Sequence, residues 1–156
     1  MSRREQIQMD EREVLALLEE ERTVVCATNG RDGWPHLMPL WYVVRAGTLW
    51  AWTFAKSQKV RNLERDARAT LQVEAGVDYG ALRGVMLECD TVVHRDAGAV
   101  KRLGLEIFAR HAGGTTGDLA EAARTAVTAQ AAKRVGLEFV ERRRATWDHR
   151  KLRGTY

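Results

Sequence analysis

Apolar positions along the chain follow two periods. In residues 10–21 they fall at Val14, Leu15, Leu17 and Leu18, the stripe of a short amphipathic helix, and Asp10 with Glu13 three residues later forms a capping pair at its start. The period then drops to two. Residues 23–28 are β-branched and short, which predicts a strand. Residues 29–33 carry two glycines and predict a hairpin turn into a second strand, residues 34–44. Pro35 and Pro39 make that strand an edge, or bulge it near Pro39, because proline cannot donate to a ladder. A turn at residues 45–48 leads to a third strand, residues 49–54, which completes an antiparallel meander.

Helical spacing returns at residues 57–65, with Ser57 as the cap and Val60 and Leu63 facing inward. A fourth strand is predicted over residues 67–75 and a long fifth over 79–94, bent at Gly84 where the sheet closes on itself. Residues 97–111 place Val100, Leu103, Ile107 and Phe108 on one helical face. A glycine-rich loop at 113–117 precedes an alanine-rich helix capped by Asp118 and reaching about residue 132. Residues 135–147 set Val135, Leu137 and Phe139 against Glu138, Arg142 and Arg144, a sixth strand with one solvated face. Residues 148–156 form a tail. The order predicts a mainly β fold: a six-stranded antiparallel barrel, closed or nearly so, with peripheral helices and a late helical insertion, as one domain over residues 1–156.

Composition narrows the function classes. A chain of 156 residues, 45% hydrophobic and 29% charged, is a globular domain. No apolar run approaches the ~18–20 residues of a membrane helix, and the first residues lack the apolar core of a signal peptide, so a cytoplasmic location is expected. Cys26 and Cys89 lie in apolar strand runs and read as buried thiols, not as a disulfide or a metal pair. The net charge of +4 suits an anionic ligand such as a phosphorylated cofactor. The basic residues are dispersed and not interleaved with aromatics, so nucleic-acid binding is not expected. The four histidines are far apart, which argues against a metal site. No hydrolase elbow, P-loop, dinucleotide fingerprint or catalytic carboxylate pair occurs, which fits redox chemistry carried by a cofactor.

Two features carry candidate chemistry. The first is the basic helix start Lys56-Ser57-Gln58-Lys59-Val60-Arg61-Asn62. Helix starts leave backbone N–H groups unpaired and bind anions, and Lys56, Ser57, Lys59, Arg61 and Asn62 add side-chain donors. The alternative is a solvated basic helix that balances Glu64 and Asp66. Taken as an exposed ligand, Lys59 changed to Ala is expected to weaken anion binding by about 1.5–3 kcal/mol and to leave folding intact. The second feature is aromatic: Trp34, Trp41, Tyr42, Trp50, Trp52 and Phe54 lie within 21 positions. Either alternating set could flank a planar ring; the alternative is barrel core or a dimer interface.

These residues together resemble a known group. Asp32-Gly33-Trp34-Pro35-His36 through Tyr42, then Gly47-Thr48-Leu49-Trp50, then Lys59-Val60-Arg61-Asn62-Leu63 are similar to the pyridoxamine 5'-phosphate oxidase-like superfamily of flavin-binding split β-barrels. Within it the chain is most similar to the branch that uses the deazaflavin coenzyme F420, an impression the run Thr146 to Leu152 shares. The resemblance implies a homodimer with cofactor at the subunit interface, and an oxidoreductase passing hydride between F420 (or, alternatively, FMN) and a small conjugated substrate. A carrier of cofactor or haem is the non-enzymatic alternative. The resemblance implies phosphate near Lys56, Ser57, Lys59 and Asn62, with Arg61 in addition. It implies a ring along Pro39, Leu40, Trp41, Trp52 and Thr53, and closure by Trp147 from the partner. Residues 147–152 do not reproduce the arginine-histidine motif of the oxidases proper, so oxidation of a B6 vitamer is not expected.

Overall fold

The structure, a computed structural model, describes residues 1–153; residues 154–156 of the expected tail lie outside the described residues. The elements are α1 (Arg3–Gln6), α2 (Glu11–Glu20), β1 (Thr23–Asn29), β2 (Pro35–Arg45), β3 (Thr48–Phe54), α3 (Gln58–Arg65), β4 (Arg68–Ala75), β5 (Arg83–His94), α4 (Ala97–His111), α5 (Glu121–Ala131) and β6 (Arg134–Asp148). The strands close a barrel in the order β1-β2-β3-β6-β5-β4, antiparallel throughout. The expected mainly β barrel with peripheral helices is the observed fold.

Alternation explains the closure. Val24, Cys26, Tyr42, Leu49, Ala51, Leu71, Val85, Leu87, Leu137 and Phe139 point into one buried cluster, which Val14, Leu17 and Leu18 of α2 and Val60 and Leu63 of α3 complete. Both thiols are free and buried. Ala46 and Gly47 have φ of 48° and 78°, the paired left-handed conformation of a two-residue hairpin turn between β2 and β3. The Asp10–Glu13 capping box forms as expected.

A second apolar layer lies outside the barrel. Val43 and Trp52 pack against Val100, Leu103 and Ile107 of α4 and Val127 and Ala131 of α5. Arg110 fixes α4 in place. Its guanidinium lies 4.7 Å from the Tyr42 ring centre and donates to the carbonyls of Tyr42, Leu18, Glu19 and Glu21, the last three at the end of α2. The Tyr42 hydroxyl donates to the carbonyls of Leu18 and Glu21.

Several local expectations change. The β1–β2 register runs unbroken from Thr23↔Trp41 to Asn29↔Pro35, so Pro39 makes no bulge. The β2–β3 ladder covers only Tyr42↔Ala51 to Arg45↔Thr48, so the half of β2 that carries both prolines is an edge. Gly84 does not bend β5. A Cβ there would sit 2.3 Å from the Trp147 ring, so glycine makes room for that indole, and the irregularity lies at Glu88/Cys89. β5 starts at Arg83, because Tyr79–Ala81 forms a 3-10 turn. The four-residue α1, capped by Ser2 and Glu5, was not expected.

Asp118 does not cap α5. Its carboxylate accepts from the backbone N–H and hydroxyl of Thr115, and α5 begins three residues later behind Ala120, which has no side chain to cap with. Ala120→Asp is therefore expected to stabilise the protein by about 1 kcal/mol, read as a higher urea midpoint at unchanged slope.

Candidate functional site

The barrel is split where β2 and β3 part. Beyond Tyr42↔Ala51 the two strands no longer pair: residues 35–41 bond only to β1, and Trp52 to Phe54 only to β6. A cavity of about 580 Å³ occupies this split. Pro39, Leu40 and Trp41 line it from β2, Trp52 and Phe54 from β3, Phe108 from α4, Val127 and Gln130 from α5, and Arg134 from β6. Four aromatic rings around a slot of this size suit a planar ligand.

Each wall is held by something definite. Trp52 packs closely on α4, where a Cβ on Gly104 would fall 2.3 Å from its ring. Trp41 stacks on His111 at 3.8 Å between ring centres and 13° between planes, and meets Phe108 edge-on at 5.9 Å. Burial, with Arg110 and Arg22 nearby, holds the His111 pKa below its ordinary value, so this ring is neutral at pH 7. Arg134 lies over Phe54 at 4.2 Å and Trp52 at 4.6 Å. Its Nε is buried with no acceptor among the described residues, and burial lowers its pKa.

The basic helix start follows the cavity wall along the chain, since β3 ends at Phe54 and Ser57 caps α3. Its side chains divide in two. Lys56 and Arg61 are exposed. Ser57 Oγ accepts from the Val60 N–H at 3.3 Å. Lys59, in contrast, is only 4% exposed, and its Nζ donates to Thr53 Oγ1 at 3.2 Å. Burial lowers the Lys59 pKa, and no carboxylate pairs with it among the described residues. Asn62 is fully buried: Nδ2 donates to Thr28 Oγ1 at 3.1 Å, and Oδ1 accepts from Gln58 at 2.9 Å. Lys59 is thus not the exposed residue expected from the sequence, and the forecast that its loss leaves folding untouched loses its basis.

Of the residues singled out in the sequence, Pro39, Leu40, Trp41 and Trp52 come together around the cavity, and Thr53 joins Lys59 behind β3. Trp147 does not join them within one chain. It pairs with Gly84, eleven residues along β6 from Gly136, which pairs with Trp52. Phe108, His111, Gln130 and Arg134 were missed as site residues. Phe108 read as core, and Arg134 precedes the strand as it was delimited from the sequence; its position opposite Phe54 is a matter of β3–β6 register.

Residues 10–143 match the pyridoxamine 5'-phosphate oxidase family. The chain belongs to that family. A conserved hypothetical protein from Mycobacterium tuberculosis superposes on this family member with a TM-score of 0.88 at 37% identity, covering 100% of this chain and 95% of that one. A structure described as an F420 reductase gives a TM-score of 0.66 at 21% identity, covering 83% and 94%. The haem storage protein HutZ from Vibrio cholerae gives 0.65 at 13%, covering 85% and 90%. The last two likenesses are of fold. No curated protein matches the chain. No helix among the described residues is long and apolar enough to cross a membrane.

Proposed function

We propose that this family member is an oxidoreductase that binds a flavin-type cofactor, coenzyme F420, in the split of its barrel. The observation that carries the reading is the 580 Å³ aromatic slot, whose wall residue Phe54 leads three residues later into the basic start of α3. Ring cofactors need apolar walls with a few fixed polar groups, and this slot has both. Pro39, Leu40, Trp41 and Trp52 hold the ring in this reading, and Thr53, behind β3, holds Lys59. The α3 start holds the phosphate: Lys56 and Arg61 from the solvent side, Ser57 and the free backbone N–H groups at the cap, and Lys59 from beneath, while Asn62, bonded to Thr28 and Gln58, fixes the helix behind them.

The donor set fits an anion there. Lys59 is a buried ammonium with three donors, one hydrogen bond and no carboxylate, a state that an arriving phosphate relieves. The bound cofactor supplies hydride transfer to a conjugated acceptor. The chain's own part is to hold the acceptor against the ring and to exclude water with Trp41, Trp52, Phe54 and Phe108.

The protein acts as a homodimer in this reading. Trp34, just before β2, and Leu37, Met38 and Trp41 in its free half are 75%, 56%, 45% and 47% exposed, apolar area suited to burial against a second copy. Trp147 reaches the cavity only from the partner subunit. FMN shares the ring and phosphate chemistry and is the second reading; F420 is preferred on the resemblance of the F420-using branch.

Titration of the purified protein with F420 and with FMN, followed by tryptophan fluorescence, tests this. F420 binding at micromolar concentration is expected. Binding of FMN alone transfers the reading to FMN, and binding of neither overturns it.

A further inference from the structure

Arg134 brings a positive charge to the wall of an apolar cavity and meets no carboxylate there among the described residues. Other arginines of β6 behave differently. Arg142 pairs with Asp90, Arg143 with Glu88, and Arg144 with Glu141 and Glu11. Arg134 instead lies over Phe54 and Trp52, with Nε buried and unpartnered. A guanidinium stacked on aromatic faces keeps its in-plane N–H fork for an acceptor, and that fork matches a carboxylate in a bidentate contact. Nearby Lys59 makes the charge imbalance larger, and Arg134 is one of the causes that lower the Lys59 pKa, after burial. Among the described residues, Arg134 is the one charged side chain that lines the cavity.

We infer that Arg134 anchors an anionic group of a planar conjugated substrate, so that the cavity selects aromatic acids over their neutral analogues. The inference rests on the cofactor reading in taking the cavity as the place where cofactor and acceptor meet. The aromatic walls supply contact to any flat ring. The arginine supplies the discrimination, because an acid that lacks the guanidinium leaves a desolvated carboxylate unpaired, and a neutral analogue leaves the guanidinium as it is now. The same contact could serve the phosphate of the cofactor, and the test separates the two sources.

The probes are 2-naphthoate and 2-naphthamide, flat rings of one size that differ in charge, and FMN and riboflavin, which differ by the phosphate. Each is titrated into the full chain, wild type, Arg134→Gln and Arg134→Lys, with tryptophan quenching as the readout and a thermal melt as the control for folding. The wild type is expected to bind naphthoate at least tenfold more tightly than naphthamide. Arg134→Gln removes that preference, Arg134→Lys keeps part of it, and the preference for FMN over riboflavin is the same in all three. Equal affinity of the wild type for naphthoate and naphthamide overturns the inference, and needs no variant that folds. Loss of the FMN preference in Arg134→Gln also overturns it and assigns the arginine to the cofactor phosphate. A naphthoate preference that depends on Arg134, in a protein that binds neither FMN nor F420, leaves the anion site standing and sinks the cofactor reading alone.

Discussion

Raising the pH above 9 is expected to unfold this protein before pH 12, and Cys26→Ala to delay the transition. Cys26 and Cys89 are 0% and 3% exposed, and burial pushes each thiol from an unperturbed 9.0 to about 12. Burial also pushes the Tyr42 phenol from 10.0 to about 12. These groups stay protonated in the folded barrel while the unfolded chain releases its protons. The stability they contribute is full below pH 9 for the thiols and below pH 10 for the phenol, and is lost as the pH rises toward 12. Each thiol removes about 1.4 kcal/mol per pH unit over that window. Two such thiols losing stability in parallel take back a sizeable share of the about 5–15 kcal/mol that holds a typical domain folded. Lys59 acts in the opposite direction. Its lowered pKa means the unfolded chain binds the extra proton up to pH 10.5, so this one group gains stability with pH up to there. Three groups outweigh one. Cys26→Ala costs about 1 kcal/mol at pH 7 through lost packing, and it removes one of the two thiol slopes. The curves of variant and wild type, followed by far-ultraviolet circular dichroism against pH, should cross near pH 10. Parallel curves would show that the Cys26 thiol ionises as readily inside the barrel as outside it.

The fold was legible because period-two alternation and glycine turns specify which strands are neighbours, and only six strands had to be placed. What closes the barrel, the β1–β4 and β3–β6 pairings, joins segments distant in sequence, yet the meander leaves few other ways to satisfy the edges. Details decided by single long-range contacts were not legible. Gly84 looks like a bend until Trp147 is found lying over it. Asp118 looks like a helix cap because it precedes an alanine run, but a 3-10 turn closes on it first. The site was half legible. The aromatic strands announced themselves by density, and the proline-bearing edge of β2 marked where the barrel opens. Arg134 carried no local signal, since its meaning comes from lying opposite Phe54 across a ladder. The burial of Lys59 did carry one. At 100° per residue, Lys59 lies only about 40° from Leu63, within the arc from Asn62 to Val60 that faces the barrel. Helical phase, not charge type, sets the burial of this lysine.

Lys59→Met is expected to make the protein more stable and a poorer ligand binder at once. The ammonium is buried, bonded to one neutral hydroxyl, and faces no carboxylate. Methionine keeps the length of the side chain and its contacts with the barrel end while removing the desolvated charge, a change on the order of 1–3 kcal/mol in favour of folding. Thr53 loses one donor, which takes back up to about 1 kcal/mol. The gain should be largest at neutral pH and shrink as the pH rises toward 10.5, because Lys59 in the wild type then becomes neutral in both states. If Lys59 holds the cofactor phosphate from beneath, the variant also loses a charge-assisted hydrogen bond of about 1.5–3 kcal/mol, roughly a tenfold to hundredfold loss of FMN or F420 affinity. Riboflavin, without the phosphate, should bind variant and wild type alike. A thermal melt without ligand and paired FMN and riboflavin titrations separate the two effects. Greater stability with unchanged FMN affinity would mean that the buried ammonium serves no phosphate, and would move the anion site outward to Lys56 and Arg61. Lower stability would mean that the Lys59–Thr53 contact holds α3 against β3, and that the charge is tolerated for the fold rather than for a ligand.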